Sequence, residues 1–377
     1  MTGRRPCREF WDEVLGRPTK ILAPMVGLSE LAFRMFARSK GAEVCYTEML
    51  HADRFGADEA YRRSHFATDP EDRPLVAQFC GDDAATIARA ARFLEGDVDA
   101  VELNCGCPQR SAERGHFGAF LGADVIVGIV EVLARELRVP VMVKMRIRES
   151  ADETARLARA LEAAGCAVLT LHCRTRDQRR GGPCDWAAAR RVRDAVDAMP
   201  VVANGGVERA SDVEACLRET RADACMSGEG ALENAAIFSG AEATTPRGQL
   251  DLARDYLAFA KRFRATVDAA KAHLAVMLRC VPHDDGLAAA ATLDDLGALV
   301  ARLEPGPTAA ASWYRRHRSS EADVRAFLAS HDDATLVAAT GHVRCESTGH
   351  EMAPQLPVLE GHWAGKAYAR AAKKRRL

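Results

Sequence analysis

Apolar residues along this chain fall into short runs, each closed by a polar or glycine-rich group and followed by a segment with helical spacing. The runs are ILAPMVG (21–27), EVCYTEM (43–49), PLVAQFC (74–80), AVELNCG (100–106), PVMVKMR (140–146), AVLTLHC (167–173), PVVANGG (200–206) and DACMSGE (223–229). Each has the length and composition of a buried strand. Amphipathic segments such as DDAATIARAARFLE (82–95) and ESADETARLARALEAAG (149–165) lie between them. Strands alternating with helices predict a parallel sheet. Eight strands in about 220 residues predict a closed (β/α)8 TIM barrel, with a doubly wound open sheet as the alternative. The strand ends favour the barrel, because nearly all are chemically equipped and only a barrel gathers all of them at one mouth.

The strand pattern stops near residue 245. Residues 251–280, 291–304 and 321–331 have helical spacing, and beyond about 335 the periodicity fails and the chain ends in AYARAAKKRRL. The expected organisation is therefore a barrel over 1–245, a small helical domain over 246–335 and an irregular basic tail over 336–377.

Composition narrows the setting. The chain has 377 residues, 48% hydrophobic, with a formal net charge of -1, so any nucleic-acid surface must be a local patch. Twelve cysteines are scattered without framework spacing. No apolar leader opens the chain, and no run reaches the roughly 18 apolar residues of a membrane span. A reducing compartment is expected, cytoplasmic and with the nucleus as a second setting. His342, Cys345 and His350 are read as scattered surface residues, so no metal site is expected.

The strand ends carry the candidate chemistry. Asn204-Gly205-Gly206 and Ser227-Gly228-Glu229-Gly230 each precede a helical segment. Glycine lets backbone N–H groups approach an anion, and a helix N-terminus adds a favourable dipole. At the seventh and eighth strands, this is the common phosphate site of β/α barrels. Gln78, Lys144 and His172 end three other strands, where an amide, an ammonium and an imidazole could edge a planar heterocycle such as a flavin. Cys105 and Cys107 lack the spacing of a zinc pair or a C-x-x-C redox pair. Cys107, on a turn between Gly106 and Pro108, is read as a thiol presented over the mouth, and Cys105 as a buried one.

At this point the motifs resemble those of the tRNA-dihydrouridine synthases, most of all the eukaryotic class acting on D-loop positions 16 and 17. The stretches that carry the resemblance include ILAPMVGLSELAFR, CYTEMLHA, VELNCGCPQRSAERGHFGAFL, LHCRTRDQR, VVANGGV and CMSGEGALENAAIF, spanning roughly residues 10–240 with FWDEVLG upstream. The resemblance implies that Cys107 is the catalytic proton donor to C5 of uracil while hydride from N5 of reduced FMN reaches C6, with NADPH as reductant. It implies that Pro24, Met25, Val26, Gln78, Lys144, His172, Asn204, Gly205, Gly206, Gly228 and Glu229 bind FMN. Asn104 and Arg174 would contact the uracil, tRNA would be the partner, and the helical segment around KAHLAVMLR would be the family's second domain. A metabolic FMN barrel acting on a small molecule, and a non-catalytic tRNA-binding factor, are the competing readings.

Overall fold

A computed structural model describes residues 7–179, 183–241, 245–278, 281 and 285–305, together with the backbone of two short paired strands, Val343–Arg344 and Glu351–Met352. The chain divides into two compact units, Met1–Ala243 with Arg262–Ala265, and Thr244–Lys261 with Thr266–Leu377.

The first unit is the barrel. Its strands are β1 (Lys20–Leu22), β2 (Cys45–His51), β3 (Leu75–Cys80), β4 (Ala100–Cys105), β5 (Val141–Ile147), β6 (Leu169–Thr175), β7 (Val201–Asn204) and β8 (Ala224–Ser227). All pairings are parallel in the order β1-β8-β7-β6-β5-β4-β3-β2. A parallel bridge between Ile21 and Val44 joins the two end strands, which excludes the open sheet. The strands lie within two residues of the predicted starts, but β1, β7 and β8 stop early. Their glycine and proline residues belong to the mouth loops rather than to the ladder.

Side chains alternate inward and outward along each strand. The lower interior is apolar: Ile21, Val44, Val76, Ala100, Met142, Val168, Val202 and Ala224 form one buried cluster. Phe10, Trp11 and Leu15 from the N-terminal segment join that cluster and cover it. Two residues further along the same inward rows, the side chains become Gln78, Glu102, Lys144, Thr170 and Asn204, all buried. The core thus changes from hydrocarbon to hydrogen-bonding groups within one strand repeat.

Helices wrap the sheet, and their ends follow ordinary capping chemistry. Ser150 caps Ala151–Ala164 by accepting from Glu153 N, and Gly165 ends that helix at φ 92. Asp185 caps Trp186–Ala195 in the same way. The second unit contains helices Pro246–Arg262, Val267–Met277, Gly286–Ala289 and Leu293–Arg302. The predicted helix over 251–280 is therefore two. Arg264 at φ 53 breaks the first, and the Thr266 hydroxyl restarts the second by accepting from Ala269 N. The predicted helix 321–331, the basic tail and the His342, Cys345 and His350 side chains lie outside the described residues.

Candidate active site at the strand ends

The turn after β4 holds the thiol. Asn104, 8% exposed, accepts at Oδ1 from Gly106 N (3.1 Å) and Cys107 N (3.0 Å), so one side chain shapes the whole turn. The Arg146 guanidinium, reaching over from β5, donates to Gly106 O at 2.7 Å and also to Thr175 O and Arg179 O. Ala119 N donates to Cys107 O at 3.0 Å. Gly118 sits beneath it at φ 69, where an added Cβ would lie 2.7 Å from Cys107 O. Only glycine lets the two segments approach so closely. Cys105 is buried in the strand, and burial pushes its thiol well above its ordinary range; Cys107 is half-buried on the turn. The two cysteines separate because β4 ends at Cys105 and Cys107 lies on the turn beyond it.

Below the turn runs a chain of buried amides and charges. Asn104 Nδ2 donates to Gln78 Oε1 at 2.8 Å, and Gln78 Nε2 donates to Glu102 Oε1 at 2.6 Å. Lys144 Nζ donates to Asn204 Oδ1 at 2.7 Å, and Asn204 Nδ2 donates to Met226 O at 2.9 Å. Burial pushes the Glu102 carboxyl up to about 7, against the opposing pull of Lys144. Burial likewise lowers Lys144 to about 8, while Glu102 holds it up. Each is the other's main electrostatic compensation in a buried setting.

On the far side of the mouth, Gly205 (φ 98) and Gly206 (φ 79) follow β7 with helix Ala210–Thr220 beyond. A Cβ at Gly205 would lie 2.8 Å from Cys184 Sγ, 3.3 Å from His172 Cε1 and 3.5 Å from Arg174 Nη1. His172 and Arg174 are thus neighbours of this glycine pair. Gly228, at the start of the short helix Glu229–Glu233, approaches Ala23 and Met25, which ties the end of β8 to the loop after β1. Pro24 and Met25 are half-buried, and Val26 is 65% exposed, an apolar side chain offered to solvent at the rim.

The dihydrouridine synthase (Dus) family description matches residues 21–298, most of the chain. The chain belongs to the dihydrouridine synthase family. It is 41% identical over 272 residues to a mouse protein named tRNA-dihydrouridine(16/17) synthase [NAD(P)(+)]-like, covering 71% of this chain and 56% of that one. It is 37% identical over 293 residues to the Saccharomyces cerevisiae tRNA-dihydrouridine(16/17) synthase [NAD(P)(+)], covering 73% and 69%. The Schizosaccharomyces pombe protein of that name is also 37% identical, with 72% of each chain covered. The chain spans little more than half the length of the mouse relative it matches. A second family description, Surfeit locus protein 2, matches residues 321–376.

The residues of this chain fit a flavin mononucleotide. Two consecutive left-handed glycines, packed without side chains against Cys184 and Trp186 and beside the cationic Arg174, form a backbone turn of the kind that binds phosphate. An exposed apolar ledge at Val26 and a buried ammonium at Lys144 suit the two aspects of an isoalloxazine ring. Arg174, expected to contact the uracil, has its guanidinium beside Gly205. Asn104 has both amide ends engaged within the protein, which leaves one N–H for a ligand.

Four functional neighbours are absent from the sequence-based selection. Glu102 and Arg146 stand on inward rows of strands that read as apolar, and the polar residue inside such a run was the signal that could have found them. His51 and Cys80 sit together beside the site, with Cys80 Sγ 3.5 Å from His51 Nδ1 and Cys80 packed in a small cluster that Cys107 joins. Their proximity depends on β2 and β3 pairing and has no linear signature.

Proposed function

We propose that this protein reduces uridine to 5,6-dihydrouridine in the D-loop of tRNA, at positions 16 and 17, using FMN and NADPH. The observation that carries the reading is the sharing of one mouth by the Cys107 turn and the amide–ammonium network of Gln78, Lys144 and Asn204.

Pro24, Met25 and Val26 would support the FMN ring, Gln78, Lys144 and His172 would edge it, and Asn204, Gly205, Gly206, Gly228 and Glu229 would hold its phosphate end. When bound and reduced by NADPH, FMN supplies hydride to C6 of the uracil. Cys107 gives a proton to C5 from the opposite face as a general acid. Lys144 stabilises negative charge developing on the base or the ring edge, and its burial strengthens the effect. The uracil must leave the tRNA stack to reach this depth, and Asn104 meets it there. The helical unit and the basic tail bind tRNA phosphates, which gives affinity rather than position choice.

Purified protein should carry a flavin spectrum, and with NADPH and tRNA it should form dihydrouridine. A colourless protein that binds tRNA without turnover would leave the non-catalytic reading standing, and reduction of a free pyrimidine but not tRNA would favour the metabolic one. Mapping dihydrouridine in tRNA from cells lacking the protein tests positions 16 and 17.

A further inference from the structure

Glu102 is fully buried, two residues below Asn104 on β4, and takes no part in the chemistry described above. The hydrogen bonds around it run in one direction. The Cys107 and Gly106 N–H groups donate to Asn104 Oδ1, Asn104 Nδ2 to Gln78 Oε1, and Gln78 Nε2 to Glu102 Oε1. A primary amide has two nearly isosteric orientations, so neither Gln78 nor Asn104 fixes its own polarity. The order is set only by the ends. At one end are two backbone donors, and at the other is a carboxyl oxygen that accepts.

We propose that Glu102 is the positioning residue for the Cys107 turn, acting by locking the orientations of the Gln78 and Asn104 amides. Without an acceptor at position 102, Gln78 Nε2 loses its partner, and the bond from Asn104 Nδ2 is left as the restraint on the orientation of the Gln78 amide, which can then turn over. Its nitrogen then faces Asn104 Nδ2, Asn104 turns in response, and its own nitrogen confronts the two N–H groups it now accepts from. The turn loses its internal anchor, while the Arg146 bond to Gly106 O and the Ala119 bond to Cys107 O remain. Buried donors facing donors are strongly disfavoured, so the effect is transmitted rather than absorbed.

The surroundings of Glu102 suit this role. The Tyr46 and Thr170 hydroxyls stand close enough to influence its ionisation, yet neither they nor Glu102 Oε2 makes a well-aligned hydrogen bond. Among the described residues, Gln78 is the carboxyl's hydrogen-bond partner. Its raised ionisation range does not disable it, because a neutral carboxyl still presents a carbonyl oxygen to Gln78. Lys144 is the other charged group facing it, and an effect of Glu102 exerted through Lys144 must be told apart from one exerted through the amides.

The role of the turn in turnover rests on the proposed reductase activity, so the test reads the turn itself as well as the product. The rate of Cys107 alkylation by iodoacetamide, resolved by peptide mass spectrometry, is measured in the full-length protein alongside dihydrouridine formation and bound flavin. Glu102→Leu should change the Cys107 alkylation rate and lower turnover by about tenfold or more, the loss expected for one or two directional hydrogen bonds. Glu102→Gln, which can still offer an oxygen to Gln78, should restore both to within about threefold of wild type. Gln78→Leu should reproduce the alkylation change, and the double variant should go no further than either single one, as members of one chain behave.

Should Glu102→Leu fold poorly, Gln78→Leu and the Glu102→Gln comparison still carry the test. An unchanged alkylation rate in Glu102→Leu or, where that variant folds poorly, in Gln78→Leu would overturn the proposal. So would a Glu102→Gln variant as impaired as Glu102→Leu, which would assign the effect to charge on Lys144, and so would additive single variants. If wild type makes no dihydrouridine, the reaction is wrong, while the alkylation arm still decides the role of Glu102.

Discussion

The two halves of the barrel interior are built on the same eight strands with the same alternation, and they do opposite things. Below, Val76, Ala100, Met142, Val168 and Val202 meet Phe10, Trp11 and Leu15 in an apolar cluster whose stability is non-directional. Above, Gln78, Glu102, Asn104, Lys144 and Asn204 are equally buried but held by bonds that each need one partner in one orientation. The lower half tolerates imprecision and supplies stability. The upper half sacrifices some of that stability, because buried charges cost free energy unless well paired, and gains defined positions for chemistry.

The sharpest way to break the comparison is Cys107→Ala. Dihydrouridine formation should fall by about a thousandfold, within the range lost with a general acid, while bound FMN and tRNA affinity are retained. A fully active variant would move the proton donor elsewhere. Trp11→Ala attacks the lower half instead. It should cost about 3–5 kcal/mol in urea unfolding, as buried tryptophan truncations do, yet leave turnover per folded molecule near wild type. A specific loss of turnover at full folding would mean the two halves are not separable.

Gly118→Ala tests the contact beneath the turn. The position combines a left-handed φ of 69 with a Cβ that would meet Cys107 O at 2.7 Å, whereas Gly16 has a similar φ of 75 and open space around it. Both substitutions should cost about 1–2 kcal/mol of backbone strain in thermal unfolding. Gly118→Ala should also lower turnover, and equal activity in the two variants would show that the turn absorbs the clash.

A smaller effect separates the halves by pH. Folded Glu102 keeps its proton to about 7 against an ordinary 4.5, so from 4.5 to 7 the folded state binds more protons and stability falls as pH rises. Folded Lys144 loses its proton near 8 against an ordinary 10.5, so stability recovers from about 8 to 10.5. In flavin-free protein, Glu102→Gln should flatten the acid-side slope, measured as urea midpoints against pH. An identical slope would place the titrating group outside the barrel interior. The smallest change is expected from removing residues 366–377, which should weaken tRNA binding modestly and reduce its salt dependence. An unaltered salt slope would make the tail a bystander.

Much of the barrel was legible because strand burial and helix amphipathicity write themselves as local periodicities. The eight apolar runs and their polar ends gave both the strands and the mouth. The break at residues 262–266 was missed, since Lys261-Arg262-Phe263-Arg264 continues the helical pattern and only the backbone of Arg264 and the Thr266 cap end it. Glu102 and Arg146 were passed over for a related reason. Each looks like an isolated charge in an apolar strand until β3, β4, β5 and β6 are laid side by side.

The amino-acid order alone determined which residues are strand, which face inward, and that Cys105 and Cys107 part company at a turn, because these depend on near neighbours and a two-residue repeat. Tertiary structure decided which inward groups meet. Gln78 finds Glu102 and Asn104, Lys144 finds Asn204, and Arg174 stands by Gly205, through the registers of adjacent strands and the closure of the cylinder. Hydrogen bonds between residues 24 to 60 positions apart depend on how separate strands align, and no local pattern encodes that alignment.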